Sequence, residues 1–341
     1  MNKAYIYPVS ARNKDGVYNP YLDDFMDSTS HCFDYLNRHD PSRVGVFNLL
    51  KYFWKIDFAI FHWPENIAEK KFGLLQSLFL LFMLPVLKIL GVRIIYVVHN
   101  KVSHSQNRFR LKKYIAKKLM KSACLMIVHS GDGIPFINKI SGGEKNVFFF
   151  PHPVSVQKPV LNPSKETDVL IWGNIAPYKG VHRFLKRLRE SETVGKLRIL
   201  VAGKVSSSAY LQELNHNLPE NVEIRDGFLD DPQVDELIGK SRIVLFPYQE
   251  DSILSSGAFA KTMVFPVKII GPECGAFSDF SSLPAVFTFK SEGDIIPLIQ
   301  KVLDSDKPES LNGANGIIEK YSWEKFGQEL CSRMKKVEEN P

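Results

Sequence analysis

Short apolar runs alternate with longer stretches of helical spacing along most of the chain. In the first half "KAYIYPV", "DFAIFHW", "RIIYVVHN", "CLMIVHS" and "NVFFFPHP" are short, apolar and rich in β-branched and aromatic residues. That pattern predicts buried strands. In the second half "DVLIWG", "LRILVAG", "VEIRDGF", "RIVLFPY" and "VKIIGP" repeat it. Strands that alternate with helices predict parallel sheets covered on both faces. The segment "PHPVSVQKPVLNPSKE", about 151–166, is rich in proline and polar residues and reads as a linker. The expected architecture is α/β: two Rossmann-like, doubly wound domains, 1–155 and 166–318, facing each other across a cleft. Ligands in such sheets bind beyond the carboxyl ends of the strands.

Two segments of the first half carry a different pattern. "FGLLQSLFLLFMLPVLKILG" (72–91) is strongly apolar, but Gln76, Ser77, Pro85 and Lys88 interrupt it. It reads as a buried or interface-lying helix rather than a transmembrane span. "RFRLKKYIAKKLMKSA" (108–123) carries seven Lys and Arg residues, with Phe109, Tyr114, Ile115 and Leu119 as an apolar side. A basic amphipathic helix of this kind suits an anionic membrane surface; the plainer alternative is a solvated helix face over the sheet.

Charge sharpens this reading. Residues 1–155 hold 21 Lys and Arg against 11 Asp and Glu, a net of +10, whereas the remainder holds 23 against 26. The basic first half suits an anionic membrane face or substrate. No nucleic-acid motif accompanies it, so nucleic acid is not expected as a partner. The four cysteines, Cys32, Cys124, Cys274 and Cys331, show neither CxxC nor zinc spacing and read as buried thiols in a reducing compartment. With no signal peptide visible, a cytoplasmic protein is expected, peripheral on the inner face of the cell membrane.

The stretch "IWGNIAPYKG" (171–180) holds the candidate chemistry. A strand end, a glycine-containing turn and a helix start together form an anion site. Gly173 lets the chain leave the strand tightly, Gly180 allows close packing, and Lys179 adds a cation where phosphate would lie. On this stretch alone, a plain turn with a surface lysine accounts for the sequence equally well.

The stretch has company. "GNIAPYKG", followed by "LRILVAGK", "NVEIRDGFLDD", "RIVLFPYQEDSILSSGAFAKTMVFPVKIIGP" and "YSWEKFGQEL", resembles in order and spacing the GT-B glycosyltransferases of the family 4, or group 1, type. "DFAIFHWPEN" and "RIIYVVHN" are similar to segments of bacterial polysaccharide transferases. The resemblance covers most of the chain and is strongest over 168–272. It implies transfer of a sugar from a nucleotide-sugar to a saccharide or lipid-linked saccharide in surface polysaccharide biosynthesis. The nucleotide-sugar would be a co-substrate, with no other cofactor and no obligatory metal. It also implies that 319–341 forms a helix returning to the first domain, with Trp323 as its anchor.

Residue by residue, the resemblance implies that Lys179 holds the donor diphosphate, with Gly173 and Asn174 beside it. Asn174 stands where the family usually has arginine. Gly203 and Lys204 follow the next strand, and Phe228 and Leu229 fall where the base is held. "YQEDSILSSGAF" matches the region of paired glutamates: Glu250 or Asp251 would be the first carboxylate, and Ala258 or Phe259 replaces the second. Ser255, Ser256 and Gly257 would open a helix whose amides face the diphosphate. In the first domain His99 matches the family residue near the anomeric centre, to hydrogen-bond the sugar or assist proton movement. Glu65 ranks below it as the base for the acceptor hydroxyl. His62, Gly16, Asn19 and Tyr21 are candidates for the acceptor side. The rival readings are a GT-B-like sugar-nucleotide epimerase, a dehydrogenase and a non-catalytic binding protein. A dehydrogenase should carry G-x-G-x-x-G after a strand, and none occurs. No Ser-His-Asp set or metal cluster is evident, and Asp230 and Asp231 read as a helix cap at Pro232.

Overall fold

The computed structural model describes residues 1–9, 20–42, 44–101, 108–155, 164–191, 197–216, 218–248, 254–305 and 311–339. The chain divides into two compact units. One comprises Met1–Pro153 with Trp323–Pro341, and the other Val154–Ser322.

In the first unit the order is β1 (Asn2–Tyr7), α1 (Tyr21–Ser28), β2 (Phe33–Tyr35), a 3-10 turn (Gly45–Lys51), β3 (Phe58–His62), a second 3-10 turn (Pro64–Glu69), α2 (Gly73–Ile89), β4 (Arg93–Val98), α3 (Phe109–Ser122), β5 (Leu125–Val128), α4 (Gly133–Ser141) and β6 (Val147–Phe149). The sheet order is β2-β1-β3-β4-β5-β6, all parallel. β3 and β5 are buried throughout, as strands covered on both faces must be. In the second unit come β7 (Thr167–Trp172), a 3-10 turn (Pro177–Lys179), α5 (Val181–Arg189), β8 (Ile199–Gly203), α6 (Ser208–Asn215), β9 (Val222–Asp226), α7 (Asp231–Gly239), β10 (Ser241–Leu245), α8 (Gly257–Thr262), β11 (Lys268–Pro272), α9 (Gly275–Asp279), β12 (Val286–Phe289), α10 (Ile295–Leu303) and α11 (Leu311–Tyr321). Its sheet order is β12-β11-β10-β7-β8-β9, again all parallel. α12 (Trp323–Glu339) closes the chain and belongs to the first unit.

The apolar pattern of the second sheet explains its double cover. Val169 and Ile171 of β7, Ile199 and Val201 of β8, and Ile243 and Leu245 of β10 pack into one core. The residues between and after them, Leu170, Trp172, Leu200, Ala202, Val244 and Phe246, pack into the other. Successive side chains of a strand point to opposite faces, so a run with no polar alternation needs helices on both.

One sequence expectation is corrected. Cys32 and Cys331 form a disulfide, leaving Cys124 and Cys274 as the free thiols. The partners lie 299 positions apart, and only the return of α12 to the first unit brings them together. Of the apolar side of the basic helix, Ile115 and Leu119 are buried and Tyr114 is exposed; Lys112 of α3 is buried too and pairs with Glu69. Among the described residues, no helix is long and apolar enough to cross a membrane.

Candidate active site

In the second sheet β7 lies between β8 and β10, the point where strand order reverses and where such sheets take ligands. Three glycines let the chain gather there. Gly173, just past β7, has φ +107°. A Cβ on Gly203, at the end of β8, would stand 1.8 Å from the Gly173 carbonyl oxygen, so the two backbones meet directly. Gly180 has φ +73°, and a Cβ there would lie 2.0 Å from the Pro247 carbonyl oxygen, just past β10. Glycine suits Gly203 and Gly180 because both are crowded and left-handed, and Gly173 because of its backbone angle.

This packing carries Lys179 inward. It is 8% exposed, with Nζ 5.2 Å above the ring of Tyr248. Among the described residues nothing accepts a hydrogen bond from its ammonium or pairs with it as an anion. Burial pushes its pKa down, a shift that neighbouring Tyr178 opposes. The Tyr248 hydroxyl is 3.3 Å from Ser256 Oγ, which accepts from the Phe259 amide and caps α8. Lys179, Tyr248 and Ser256 thus form one connected group, with Ser255 half-buried beside it. α8 runs only over Gly257–Thr262, so its dipole adds little to an anion site.

The other candidates of this unit sit farther out. Lys204 is exposed and lies 3.6 Å from Asp226, and Asn174 is exposed. Phe228 follows β9, two strands from β7, and is 60% exposed; Leu229 packs against the core. Asp230 caps α7 in a capping box with Gln233, and Asp231 pairs with Lys261. Glu250 and Asp251 lie outside the described residues, as do Gly16 and Asn19.

The first unit gathers a row of histidines. His62 ends β3, His99 follows β4, His129 follows β5 and His152 follows β6, four neighbouring strands. Parallel strands end at one edge, so these residues converge. His62 Nδ1 lies 3.2 Å from His99 Nε2. His129 Nδ1 donates to the Phe150 carbonyl at 2.8 Å, which leaves Nε2 to accept from the Tyr21 hydroxyl at 2.6 Å. The Tyr21 ring contacts His62, Trp63, His99, His129, His152 and Trp323, so this acceptor-side candidate is the hub of the nest rather than an open contact. Trp63 stacks on His99 with centroids 4.0 Å apart and holds a left-handed backbone, φ 47°. Burial, with the charge of His129 second for His62 and that of His152 second for His129, pushes the pKa of both down to about 3. His99 and His152 are pushed down for the same leading reason, so the nest is neutral at pH 7.

One atom sets the tautomers. Nε2 of His62 is buried with no partner among the described residues. A bare acceptor there costs less than a stranded N–H. His62 therefore carries its proton on Nδ1 and donates it to His99 Nε2, and His99 in turn carries its proton on Nδ1. Glu65 does not join this group: its Oε2 accepts from the Tyr96 hydroxyl at 3.2 Å, and burial raises its pKa. It lines a small cavity with Tyr96, Asn100 and Lys112. A larger cavity of about 610 Å³ lies beyond the end of β1, among Tyr7, Asn37, Asn48, Lys70, Lys71 and Gln76.

His129 and His152 were within reach of sequence reasoning. Both stand in quoted strand segments, "CLMIVHS" and "NVFFFPHP", in the same position as His62 and His99. Only the strand order shows that the four are neighbours.

Two all-parallel, doubly wound units of this kind form the GT-B fold of glycosyltransferases. Anabaena HepE, solved with UDP and glucose, superposes with a TM-score of 0.71 at 11% identity, over 98% of this chain and 100% of that one. Sucrose-phosphate synthase from Thermosynechococcus elongatus gives 0.70 at 12% identity, over 99% of each chain. TarM gives 0.61 at 16% identity, over 86% of this chain and 57% of TarM. Residues 155–253 match the family described as Glycosyl transferases group 1, and the chain has the GT-B fold. No curated protein sequence matches it.

Proposed function

We propose that this enzyme transfers a sugar from a nucleotide-sugar to a saccharide or lipid-linked saccharide in bacterial surface polysaccharide biosynthesis, without a divalent metal. In this reading it works peripherally at a membrane face. The observation that carries the donor assignment is Lys179: a buried ammonium, facing no anion among the described residues, at the switch point of the C-terminal sheet. A buried cation calls for a compensating charge, and a donor diphosphate supplies it. As the glycosidic bond to the donor breaks, negative charge grows on the leaving diphosphate. Lys179 stabilises that charge, with hydrogen bonds from Ser255, Ser256 and the Gly257 amide. Phe228 offers an open ring face for the base. On the N-terminal side, Nδ1–H of His99 donates to a hydroxyl of the transferring sugar, oriented by His62 and Trp63. The 610 Å³ cavity, with Lys70 and Lys71 in its wall, has the size and charge for an acceptor carrying phosphate.

HepE was crystallised with UDP-glucose, which makes UDP-sugars the first donors to try. Thermal-shift measurements with UDP, GDP and CMP and their sugars identify the donor. Release of nucleoside diphosphate in the presence of EDTA, on adding saccharide or lipid-linked acceptors, tests transfer. Binding with no turnover on any acceptor would leave a binding protein; turnover lost to EDTA and restored by a metal would overturn the metal-independent reading.

A further inference from the structure

We propose that α2 is a membrane-insertion surface that seats the N-terminal unit on an anionic bilayer. This deepens the membrane reading above, and rests on it only for the existence of such a bilayer. Gln76, Ser77, Leu80, Met83, Leu84 and Leu87 face the protein. The opposite side presents Leu74, Leu75, Leu78, Phe82, Pro85 and Ile89 to solvent. Leu78 is 54% exposed, Phe82 67% and Ile89 83%. Their spacing of three and four residues makes one continuous stripe. Phe72, 63% exposed, extends it beyond the first turn. The turn Gly45–Lys51 packs on α2 through Phe47 and Phe79, and exposed Leu50 and Trp54 lie on and just after it. Side chains of this size and exposure amount to several hundred Å² of apolar surface, more than a soluble monomer ordinarily leaves open.

Charge identifies what covers the stripe. Residues 70–131 contain 12 Lys and Arg and no Asp or Glu. Lys70 and Lys71 stand exposed before α2, and Lys88 in its last turn. α3, in contact with α2, exposes Arg110, Lys113, Lys117, Lys118 and Lys121, while Ile115, Leu119 and Met120 are buried. The two helices therefore divide the work: α2 supplies the apolar face and α3 the cations, the pairing of signals that peripheral anchoring needs. A second copy is the poorer occupant, because two such faces would oppose cations with no carboxylate on either segment to answer them.

The test uses the whole chain and vesicles of phosphatidylcholine with or without phosphatidylglycerol. Wild-type protein should float with the anionic vesicles. The variant Leu75→Gln, Leu78→Gln, Phe82→Gln should lose at least ~10-fold in partition yet keep its melting temperature, since it removes only exposed apolar surface. Lys113→Ala with Lys117→Ala and Lys118→Ala should weaken binding to anionic vesicles alone. A separate Leu78→Trp variant should show a blue-shifted emission on vesicle addition. Unchanged flotation of the triple Gln variant, or no spectral shift from Trp at 78, overturns the proposal. So does wild-type protein that ignores vesicles, whether it is a monomer or a dimer that the Gln changes dissociate. Nucleotide-induced thermal shifts, read on the same variants, keep failure of the donor reading distinct from failure of this one.

Discussion

Replacing Lys179 by Met should move stability and ligand response in opposite directions. In the free protein the ammonium is desolvated, and no anion among the described residues compensates it. Burial lowers its pKa, which records the same cost. Methionine keeps the length and apolar contacts of the stem and removes the charge, so the free protein should melt at the same temperature or higher. With nucleoside diphosphate the sign reverses. Hydrogen bonds to charged groups contribute about 1.5–3 kcal/mol, so their loss weakens binding roughly 10- to 150-fold. Ligand at about 100 times the wild-type Kd stabilises by about 2.7 kcal/mol; a 50-fold loss of affinity leaves roughly 0.65 kcal/mol. At ~2–4 °C per kcal/mol, a wild-type shift of about 5–11 °C should shrink to about 1–3 °C. The assay is a melting curve at fixed ligand, with calorimetric titration to give Kd. The reasoning fails if Lys179→Met destabilises the free protein and leaves the nucleotide-induced shift intact. Lys179 would then be a structural side chain whose purpose is to cover Tyr248.

The histidine nest yields two further predictions. His99→Ala should lower kcat while leaving nucleotide affinity within about 2-fold: loss of one neutral donor, ~0.5–1.5 kcal/mol, predicts a roughly 2- to 13-fold loss of rate, and a drop of 10²-fold or more would make His99 a general base instead. His62 and His129 titrate at about 3 in the fold, so the unfolded chain takes up protons from about 6.5 downward while the fold does not. Their effect on stability is nil above that value and grows as pH falls toward 3, costing about 2 kcal/mol for each by pH 5. A melting temperature that stays level between pH 7 and 5 would contradict the burial of these rings.

The strands were legible where burial on both faces made them apolar throughout. β2 (Phe33–Tyr35) and β12 (Val286–Phe289) were missed for local reasons, since β6 and β9 are outermost strands as well and were read. "FDY" is too short and too polar for the pattern, and "VFTF" carries no run on either side of it. The glycine turn before α5 was readable, because Gly173, Lys179 and Gly180 have local causes: a strand ends, the backbone turns, and a neighbour crowds the outside. The burial of Lys179 was not, since it depends on Tyr248 and Pro247, which follow β10, and no local pattern shows that β7 and β10 are neighbours. The same reason hid the disulfide. For α2 the composition was legible, but which half of the helix faces outward depends on tertiary packing.

The two units differ in electrostatics at the ends of their sheets: a buried cation in the C-terminal unit, neutral rings in the N-terminal one. The C-terminal unit offers a desolvated cation, which suits a diphosphate. The N-terminal unit offers four histidines that burial keeps neutral, which suits a sugar ring whose hydroxyls exchange hydrogen bonds but carry no charge. Neutrality is also what the proposed sugar transfer would need there. Positive character develops on the sugar as the bond to the leaving group breaks, and an imidazolium beside it would oppose that charge. A row of histidines at ordinary pKa values would be partly protonated near neutral pH. Burial under Tyr21, Trp63 and Trp323 removes that possibility while keeping every ring able to donate or accept. Four histidines therefore do here what four serines could not: they pack as aromatic core and still present one polar nitrogen, Nδ1 of His99, at the ends of the strands.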